Sequence, residues 1–309
     1  MQTTTLGRTG VAVSVMGLGC GGHSRLGLAK GETEENAVAI VRRARELGVN
    51  FIDTAEAYGT ETAVGKAIQG VDRASVVLST KVGPRKNGEF STSAAFKERV
   101  NGCLERLQTD YIDVLHLHGV QSGDYSYCAE ELVPALRDLQ TSGKIRFLGI
   151  TEAFGPDPQH KMMARALEDD CWDVIMAGFN VLNPSARYRV FPATQAKNIG
   201  VLCMFAVRRA LSQLDALAGL LRDLVAQGVI QAGGFDPADP KTLFGTDDVT
   251  PLAYRFCRHE PGVDIVLSGT GNLAHLEANA EAITGPPLEP ALLEKLTNVF
   301  RNVDSVSGN

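Results

Sequence analysis

The stretch TEENAVAIVRRARELGVNFIDT, residues 33–54, combines a helical pattern with a strand pattern. Its first part spaces five apolar residues at i, i+3, i+4, i+7 and i+10, which lines one face of an α-helix: Ala37, Ile40, Val41, Ala44 and Leu47. Gly48 then precedes a short apolar run, residues 50–54, that is typical of a strand buried on both faces. A helix followed at once by a buried strand indicates a parallel sheet covered by helices.

The same alternation repeats along the chain. Apolar strand patterns occupy residues 15–20, 50–54, 76–81, 111–118, 145–151, 174–177, 201–206 and 264–268. Amphipathic helical patterns occupy residues 33–47, 61–69, 91–107, 130–142, 161–169, 185–196, 211–227 and 272–283. Strand ends near residues 53, 81, 118, 151 and 176 lie 28, 37, 33 and 25 residues apart. This spacing favours an α/β fold with a (β/α)8 TIM barrel over a doubly wound sheet of two domains.

The spacing breaks once, between residues 206 and 268, where 62 residues separate two strand ends. Such an interval is too long for one helix and its two loops. We expect it to hold the seventh helix, at residues 211–227, together with an insertion around residues 233–250, where the sequence is rich in glycine and proline.

The two ends of the chain also carry patterns. Residues 3–6 and 11–14 predict an N-terminal β-hairpin, and residues 290–301 predict a C-terminal helix. No linker divides the chain, so we expect residues 1–309 to form a single barrel domain. The start has no secretory signal pattern, and no apolar stretch reaches the ~20 residues that cross a bilayer. We therefore expect a cytoplasmic protein without a membrane partner.

Composition excludes several classes of function. The chain has 30 basic and 36 acidic residues, a net charge of -6, which gives no electrostatic footprint for nucleic acid. Its six cysteines are scattered and form no C-x-x-C pair, so neither a disulfide framework nor a metal site is expected. No nucleic-acid partner is therefore expected, and the oligomeric state stays open.

The letters GLGCGG, residues 17–22, match the G-x-G-x-x-G pattern of dinucleotide-binding folds. That pattern also requires a helix that begins at the third glycine, and an acid about 20 residues later at a strand end. Here a loop follows, and residues 40–45 lie inside the first predicted helix. We therefore interpret the glycines as a loop that passes close to a ligand.

Polar residues follow three neighbouring strands. Asp53 ends the second strand, with Tyr58 just beyond it, Lys81 ends the third, and His118 ends the fourth. In a barrel these ends share one rim, where barrel enzymes carry out their chemistry. His116 lies on the same face of the strand as His118, and we prefer His118 because it stands at the very end. A structural ion pair between Asp53 and Lys81 is the alternative interpretation of these two.

Carbonyl reduction needs such a set of groups. Hydride arrives at carbon while a proton must reach the carbonyl oxygen, and an ordinary phenol, with a pKa of ~10, is a weak acid at neutral pH. A neighbouring ammonium stabilises the phenolate, and a carboxylate keeps that ammonium charged and oriented. In this scheme Tyr58 transfers the proton, Lys81 and Asp53 support it, and His118 positions the carbonyl oxygen.

With these residues in place, the chain resembles the aldo-keto reductase family. GVNFIDTAEAYGTETAVG, residues 48–65, is similar to the family's first signature, and YIDVLHLH, residues 111–118, resembles its fourth strand with the terminal histidine. The likeness extends from LGRTG at residues 6–10 to LEAN at residues 276–279. The resemblance implies a barrel, and a catalytic tetrad of Asp53, Tyr58, Lys81 and His118.

The resemblance also implies an extended nicotinamide dinucleotide bound without a dinucleotide-binding fold. It assigns contacts with the carboxamide and the nicotinamide ring to four residues: Thr151, Glu152, Met176 and Phe179. It assigns contacts with the phosphates and the adenosine to six others: Arg208, Gly269, Thr270, Gly271, His275 and Asn279. The run SGTGN at residues 268–272 would lead into a helix N-terminus, which favours anions.

Some of these positions depart from the family pattern. Glu152 stands where asparagine is usual and Met176 where glutamine is usual, which puts the anchoring of the carboxamide in question. Gly271 and His275 stand where lysine or arginine often binds a 2′-phosphate. The family's general habit still favours NADP(H), with NAD(H) as the alternative.

Loops at the same rim would form the substrate pocket, and we expect His23, Tyr125 and Tyr127 to line it. The function predicted from the resemblance is the interconversion of an aldehyde or ketone and an alcohol, with a tyrosine as general acid and base. An NAD-linked sugar dehydrogenase is a second enzymatic interpretation. A non-catalytic, nucleotide-binding regulatory subunit is an interpretation from another class. The physiological substrate and the direction of the reaction stay open.

Overall fold

Eight parallel strands close into a barrel in the computed structural model, which describes residues 1–309. In chain order they are β1 Met16–Gly19, β2 Phe51–Asp53, β3 Val77–Val82, β4 Ile112–Val120, β5 Ile145–Glu152, β6 Val174–Gly178, β7 Gly200–Met204 and β8 Ile265–Ser268. Each strand pairs with the next one along the chain, and β8 pairs with β1. The predicted (β/α)8 architecture is confirmed.

Helices surround the barrel. The α-helices longer than three residues are α1 Glu34–Glu46, α2 Glu61–Ala67, α3 Ser93–Leu107, α4 Val133–Thr141, α5 Lys161–Ala166, α6 Ala186–Arg189, α7 Phe191–Ala196, α8 Arg209–Ser212, α9 Leu214–Ala226, α10 Lys241–Phe244, α11 Val249–Arg258, α12 Leu273–Thr284 and α13 Pro290–Phe300. Four of the five residues of the stripe predicted for α1 are buried, and the fifth, Leu47, is half-buried just beyond the helix. Thr33 caps this helix by accepting a hydrogen bond from the Asn36 amide. No helix combines the length and the apolar character needed to cross a membrane.

The N-terminal hairpin closes one end of the barrel. Its strands, Thr3–Thr5 and Ala12–Ser14, pair antiparallel as predicted. The fully buried Leu6 and Val13 pack in one cluster with side chains from the starts of the barrel strands, such as Phe51 of β2. The hairpin therefore seals the N-terminal end, which leaves the opposite rim, where the strands end, open for a site.

The segment between β7 and β8 differs from the prediction. Residues 211–227, expected as one helix, divide into α8 and α9 at Gln213, whose backbone is extended. The helix that packs against β8 and α12 is α11, which begins inside the expected insertion and was not predicted. Its apolar residues are spaced to bury one face. The helical pattern of α11 was overlooked because glycines and prolines, which usually indicate a loop, precede it. Pro251 lies in its first turn, a place where a helix tolerates proline.

Candidate active site

A buried ion pair lies inside the rim, where β2 ends and β3 passes beside it. The Lys81 Nζ donates to the Asp53 Oδ2 at 2.6 Å and to the Thr54 carbonyl at 2.7 Å. Ser79 donates its hydroxyl hydrogen to the other carboxylate oxygen of Asp53 at 2.7 Å. Lys81 is 1% exposed and Asp53 is 3% exposed. These contacts fix both charges in position and satisfy them without water.

The charge of Lys81 is maintained by its partner. Burial alone lowers the pKa of a lysine, because it disfavours the charged form. The adjacent Asp53 carboxylate outweighs this effect and holds the pKa of Lys81 above its usual value. The site therefore contains an ammonium that stays protonated at neutral pH.

Tyr58 and His118 lie over this ion pair. The Tyr58 hydroxyl is 3.3 Å from the His118 Nε2, and the two rings meet edge to face with centroids 5.4 Å apart. The Lys81 Nζ lies 4.9 Å from the centroid of the Tyr58 ring. Gly21 makes room for that ring, since a Cβ at this position would lie 2.5 Å from a carbon of Tyr58. The structure thus brings the four predicted catalytic residues together.

The imidazole of His118 is neutral. Burial, together with the charge of Lys81, lowers the pKa of His118 to about 3. A neutral imidazole carries one donor and one acceptor nitrogen, so it can hydrogen-bond to a carbonyl oxygen without bringing a second cation into the site.

His116 occupies the barrel interior below this group. It is fully buried, and neither ring nitrogen has a hydrogen-bond partner in the protein. Its ring fills the space beside Gly149, where a Cβ would lie 2.3 Å from the His116 Nδ1. Tyr58 contacts His118 rather than His116, which agrees with the preference drawn from the sequence.

A cavity of about 800 Å³ opens at the rim and extends from Asp53 and Tyr58 to the start of α12. Seven of the residues predicted to bind cofactor or substrate line it: His23, Met176, Arg208, Gly269, Thr270, Gly271 and His275. The volume lies within the usual range for cofactor pockets. The cavity therefore joins the catalytic residues to the loop in which phosphate contacts were expected.

The β8–α12 loop is held in place by polar side chains. The Ser268 hydroxyl receives a hydrogen bond from the Asn279 amide and lies 3.0 Å from the Tyr254 hydroxyl. Asn272 caps α12 by accepting from the His275 backbone amide. Asn279 itself does not line the cavity, so its side chain supports the loop. The first turn of α12 presents free backbone donors at this end of the cavity.

The aromatic residue beside the cavity is not the predicted one. Phe179 is fully buried and packs against Phe191 and Phe256, with ring centroids 5.2 and 5.6 Å away. The prediction that Phe179 stacks on a nicotinamide ring is therefore wrong. Phe205, the first residue after β7, lines the cavity instead, and the Arg208 guanidinium lies 4.0 Å from its ring centroid. Its place at a strand end was a signal available in the sequence.

The side chains of two further residues predicted to contact the cofactor, Thr151 and Glu152, point toward other buried groups of the protein. Thr151 accepts a hydrogen bond from the Gly119 amide at 2.7 Å. Both carboxylate oxygens of Glu152 lie 2.9 Å from the His160 Nδ1, and one also accepts from the Gly178 amide at 2.8 Å. Neither residue lines the cavity, because these side chains satisfy other buried groups of the protein. In this structure the two side chains contact other parts of the protein and not the cavity, and their assignment as cofactor ligands stays a prediction.

The two tyrosines expected in the substrate pocket lie elsewhere. Tyr125 is 2% exposed, and its hydroxyl contacts Asp169 at 2.5 Å and the Trp172 indole nitrogen at 3.2 Å. Tyr127 stacks on Phe90 with centroids 4.1 Å apart. Both belong to the layer outside the barrel, and the prediction that they line the substrate pocket is wrong.

Sequence reasoning also missed residues that line the cavity. Lys30 and Glu32, between β1 and α1, are among them, as is Asn309, which accepts a hydrogen bond from Arg208 at 2.9 Å. The segment that carries Lys30 and Glu32 was interpreted only as a glycine-containing loop. Its two charges just before the capping Thr33 were the available signal.

The residues present fit a nicotinamide dinucleotide. A proton-transfer group stands at one end of an elongated cavity, and a capped helix N-terminus follows two glycines at the other. At Gly271 a Cβ would lie 2.5 Å from the Gly27 backbone, so the two loops that border this end of the cavity approach each other this closely only with glycine. The arrangement offers a phenol, an ammonium and a neutral imidazole at a place where a carbonyl or an alcohol could react.

Comparisons with known proteins identify the family of this chain. Residues 16–215 match the model of the Aldo/keto reductase family. The chain is 30% identical over 302 residues to L-galactose dehydrogenase of Arabidopsis thaliana, covering 92% of this chain and 88% of that protein. It is 28% identical over 336 residues to a probable voltage-gated potassium channel subunit beta of the same plant, with 98% and 97% covered. Aldo-keto reductase AKR11C1 from Bacillus halodurans, in its holo form, superposes with a TM-score of 0.74 at 27% identity, with 96% of each chain covered. The chain belongs to the aldo/keto reductase family and is thus an NAD(P)H-dependent oxidoreductase of carbonyl and alcohol groups.

Proposed function

We propose that this protein interconverts an aldehyde or ketone and an alcohol, with Tyr58 as the general acid and base. The observation that carries the proposal is the position of the Tyr58 hydroxyl, which lies 3.3 Å from the Nε2 of a neutral imidazole and borders the cavity. No other phenol lines that cavity.

Each residue of the tetrad has a part in moving the proton. The dinucleotide, when bound, supplies or accepts the hydride at the carbonyl carbon. Tyr58 gives its proton to the carbonyl oxygen during reduction and takes one from the alcohol during oxidation. The Lys81 ammonium stabilises the phenolate left behind, and Asp53 keeps that ammonium oriented. His118 holds the reacting oxygen within reach of the Tyr58 hydroxyl.

The proposal is tested by replacing Tyr58 with phenylalanine, which removes the proton but keeps the ring. We expect kcat to fall at least ~100-fold, measured with NADH and with NADPH against a panel of small aldehydes, ketones and aldose sugars. Tyr188→Phe, on an exposed ring away from the rim, is the matched control and should retain the wild-type rate. Near-normal reduction by Tyr58→Phe would exclude the assigned role.

A second candidate, supported by one relative, is an NAD-linked sugar dehydrogenase that works in the oxidative direction. The similarity to L-galactose dehydrogenase covers nearly the whole chain. Polar residues such as His23 and Ser24 line the cavity, and these suit a hydroxyl-rich substrate. Formation of NADH from NAD+ and L-galactose, faster than reduction of any aldehyde in the panel, would favour this candidate.

The regulatory alternative is supported by the potassium channel subunit beta among the relatives. The four residues Asp53, Tyr58, Lys81 and His118 are all present and lie together, which supports the enzymatic proposal instead. A regulatory subunit has no need for a neutral imidazole 3.3 Å from the phenol. Cofactor binding without turnover of any carbonyl or alcohol in the panel would favour the regulatory alternative.

A further inference from the structure

The wall of the cavity that faces α12 contains a carboxylate that the tetrad does not use. This wall is the segment between β1 and α1, residues 20–33, which we call the β1–α1 segment. Glu32 lies in it and lines the cavity together with Gly271 and His275. Its side chain is exposed and makes no ion pair or side-chain hydrogen bond within the protein. The carboxylate is thus free to meet a ligand.

The β1–α1 segment lies directly on the β8–α12 loop. A Cβ on Gly271 would lie 2.5 Å from both the backbone nitrogen and the Cα of Gly27. The Asn36 amide links the two by donating to the Leu26 carbonyl at 3.4 Å and to the Gly271 carbonyl at 3.3 Å. Glu32 stands beside this contact, because a Cβ on Gly27 would lie 2.9 Å from its side-chain carbons. Its position near the loop is therefore set by packing.

The orientation of a bound dinucleotide follows from the two ends of the cavity. Its reactive ring must lie near Tyr58, where the proton is transferred. An extended molecule then places its adenosine half at the other end, between the β8–α12 loop and the β1–α1 segment. Glu32 is the carboxylate at that end.

The β8–α12 loop and the first turn of α12 contain no lysine or arginine. His275 contributes an imidazole there, and Arg208 lies on the β7 side, where it covers the Phe205 ring and bonds to Asn309. Lys30 is the one cation that the β1–α1 segment contributes to the cavity lining. A 2′-phosphate at this end would thus meet the Glu32 carboxylate, and the cavity-lining part of the β1–α1 segment would offer it one ammonium, Lys30, and no guanidinium.

We infer that Glu32 selects a dinucleotide with a free 2′-hydroxyl, NAD(H), over one with a 2′-phosphate. A carboxylate accepts hydrogen bonds from ribose hydroxyls, and an acid performs this task in other dinucleotide sites. The same carboxylate repels a phosphate dianion, so one group provides both attraction and rejection. This inference rests on the proposed function, and it departs from the NADP(H) preference expected from the sequence.

The test measures the Kd of the full-length protein for NADH and for NADPH, from the fluorescence of the reduced cofactor. We expect the wild type to bind NADH at least about tenfold more tightly. In Glu32→Gln, NADPH should bind more tightly, so the ratio of the Kd for NADPH to the Kd for NADH should fall at least about fivefold. In Glu32→Lys this ratio should fall below one, so that NADPH is preferred. Glu35→Gln removes the same charge three residues later, outside the cavity, and should leave the ratio unchanged.

Two results would overturn the inference. One is a wild type that prefers NADPH, with the preference abolished by Lys30→Gln, which would make Lys30 the selecting residue. The other is a ratio that Glu32→Gln changes by less than about twofold. Failure of the proposed function is distinct from both, since it would appear as no saturable binding of either cofactor, or as full turnover by Tyr58→Phe.

Discussion

Two buried pairs of an acid and a base lie at the rim of the same barrel, and only one of them borders the cavity. Asp53 and Lys81 are 2.6 Å apart, and the Tyr58 ring covers them on the cavity side. Glu152 and His160 are 2.9 Å apart, and the Phe154 ring stacks on the imidazole with centroids 5.3 Å apart. Both pairs are buried and hydrogen-bonded, and they differ in their access to the cavity. We call Asp53–Lys81 the open pair and Glu152–His160 the closed pair.

The closed pair, Glu152–His160, stabilises the contact between two neighbouring strands. One Glu152 oxygen accepts from the Gly178 amide, so the carboxylate ties β5 to the end of β6. Phe154 extends the assembly, because its ring lies 5.8 Å from the Phe205 ring at the cavity wall. The Glu152–His160 pair thus supports the cavity wall from behind, while the Asp53–Lys81 pair lies beneath Tyr58, the phenol for which we propose a role in proton transfer.

The comparison predicts its largest effect for Lys81→Met, which removes the cation of the open pair. We expect kcat to fall about 100-fold or more, because the phenolate loses its stabilising charge. The Asp53 carboxylate would then be buried without its partner, so the free energy of unfolding should fall by ~3–5 kcal/mol. Steady-state kinetics and urea unfolding at neutral pH measure the two effects.

A double variant separates catalysis from stability in this prediction. Asp53→Asn combined with Lys81→Met removes both charges, so most of the lost stability should return while kcat stays low. Recovery of kcat in the double variant would contradict the assignment of Lys81 to proton transfer. It would favour the alternative raised by the sequence, in which the two residues form only a structural ion pair.

The open pair could be predicted from the sequence because strand ends in a barrel converge. The position of each strand along the chain fixes which rim its last residue reaches, so Asp53, Lys81 and His118 were found from spacing alone. Helix α1 was predicted for a similar reason, since its burial depends on a local stripe. Interactions that follow from local periodicity and chain order are therefore visible in a single sequence.

The closed pair could not be predicted because its partners meet through a turn without periodicity. His160 has a left-handed backbone, with φ of 59°, just before α5, and no pattern places its ring against Glu152. The prediction of Phe179 at the cavity, where the structure has Phe205, failed for a related reason. Both follow apolar strands, and only packing against Phe191 and Phe256 determines that Phe179 points away from the cavity.

A smaller effect is expected when Glu152 is changed to glutamine. The amide oxygen can still accept from the Gly178 amide, but the charge-assisted contact with His160 is lost, which should lower the free energy of unfolding by ~1.5–3 kcal/mol. We expect kcat to stay within about threefold of the wild type, because Glu152 does not line the cavity. Urea unfolding and steady-state kinetics test the two statements.

A loss of cofactor affinity without a loss of stability would contradict the structural role assigned to the Glu152–His160 pair. If Glu152→Gln kept its stability but bound NADH more than about tenfold more weakly, Glu152 would act on the cofactor, as the family resemblance implied. Glu98→Gln, on the exposed face of α3, is the matched control for loss of one carboxylate. It should change neither the stability nor the affinity.

The last effect is the pH dependence of stability that arises from His118, whose imidazole lies near the Lys81 ammonium. The pKa of His118 is lowered to about 3 in the folded protein, so between that pH and ~6.5 the unfolded chain binds one more proton. The contribution of His118 to stability is thus complete above pH ~6.5 and is lost as the pH falls, by at most ~1.4 kcal/mol per pH unit.

His118→Gln should reduce the slope of the unfolding free energy against pH, between pH 4.5 and 6, by about that amount. The slope due to the buried His116 remains, because its pKa is lowered well below the usual value as well. His23→Gln, on an exposed imidazole, serves as the control. An unchanged slope in His118→Gln would mean that the pKa of His118 is not lowered in the folded protein, so the folded and unfolded chains would bind its proton over the same pH range.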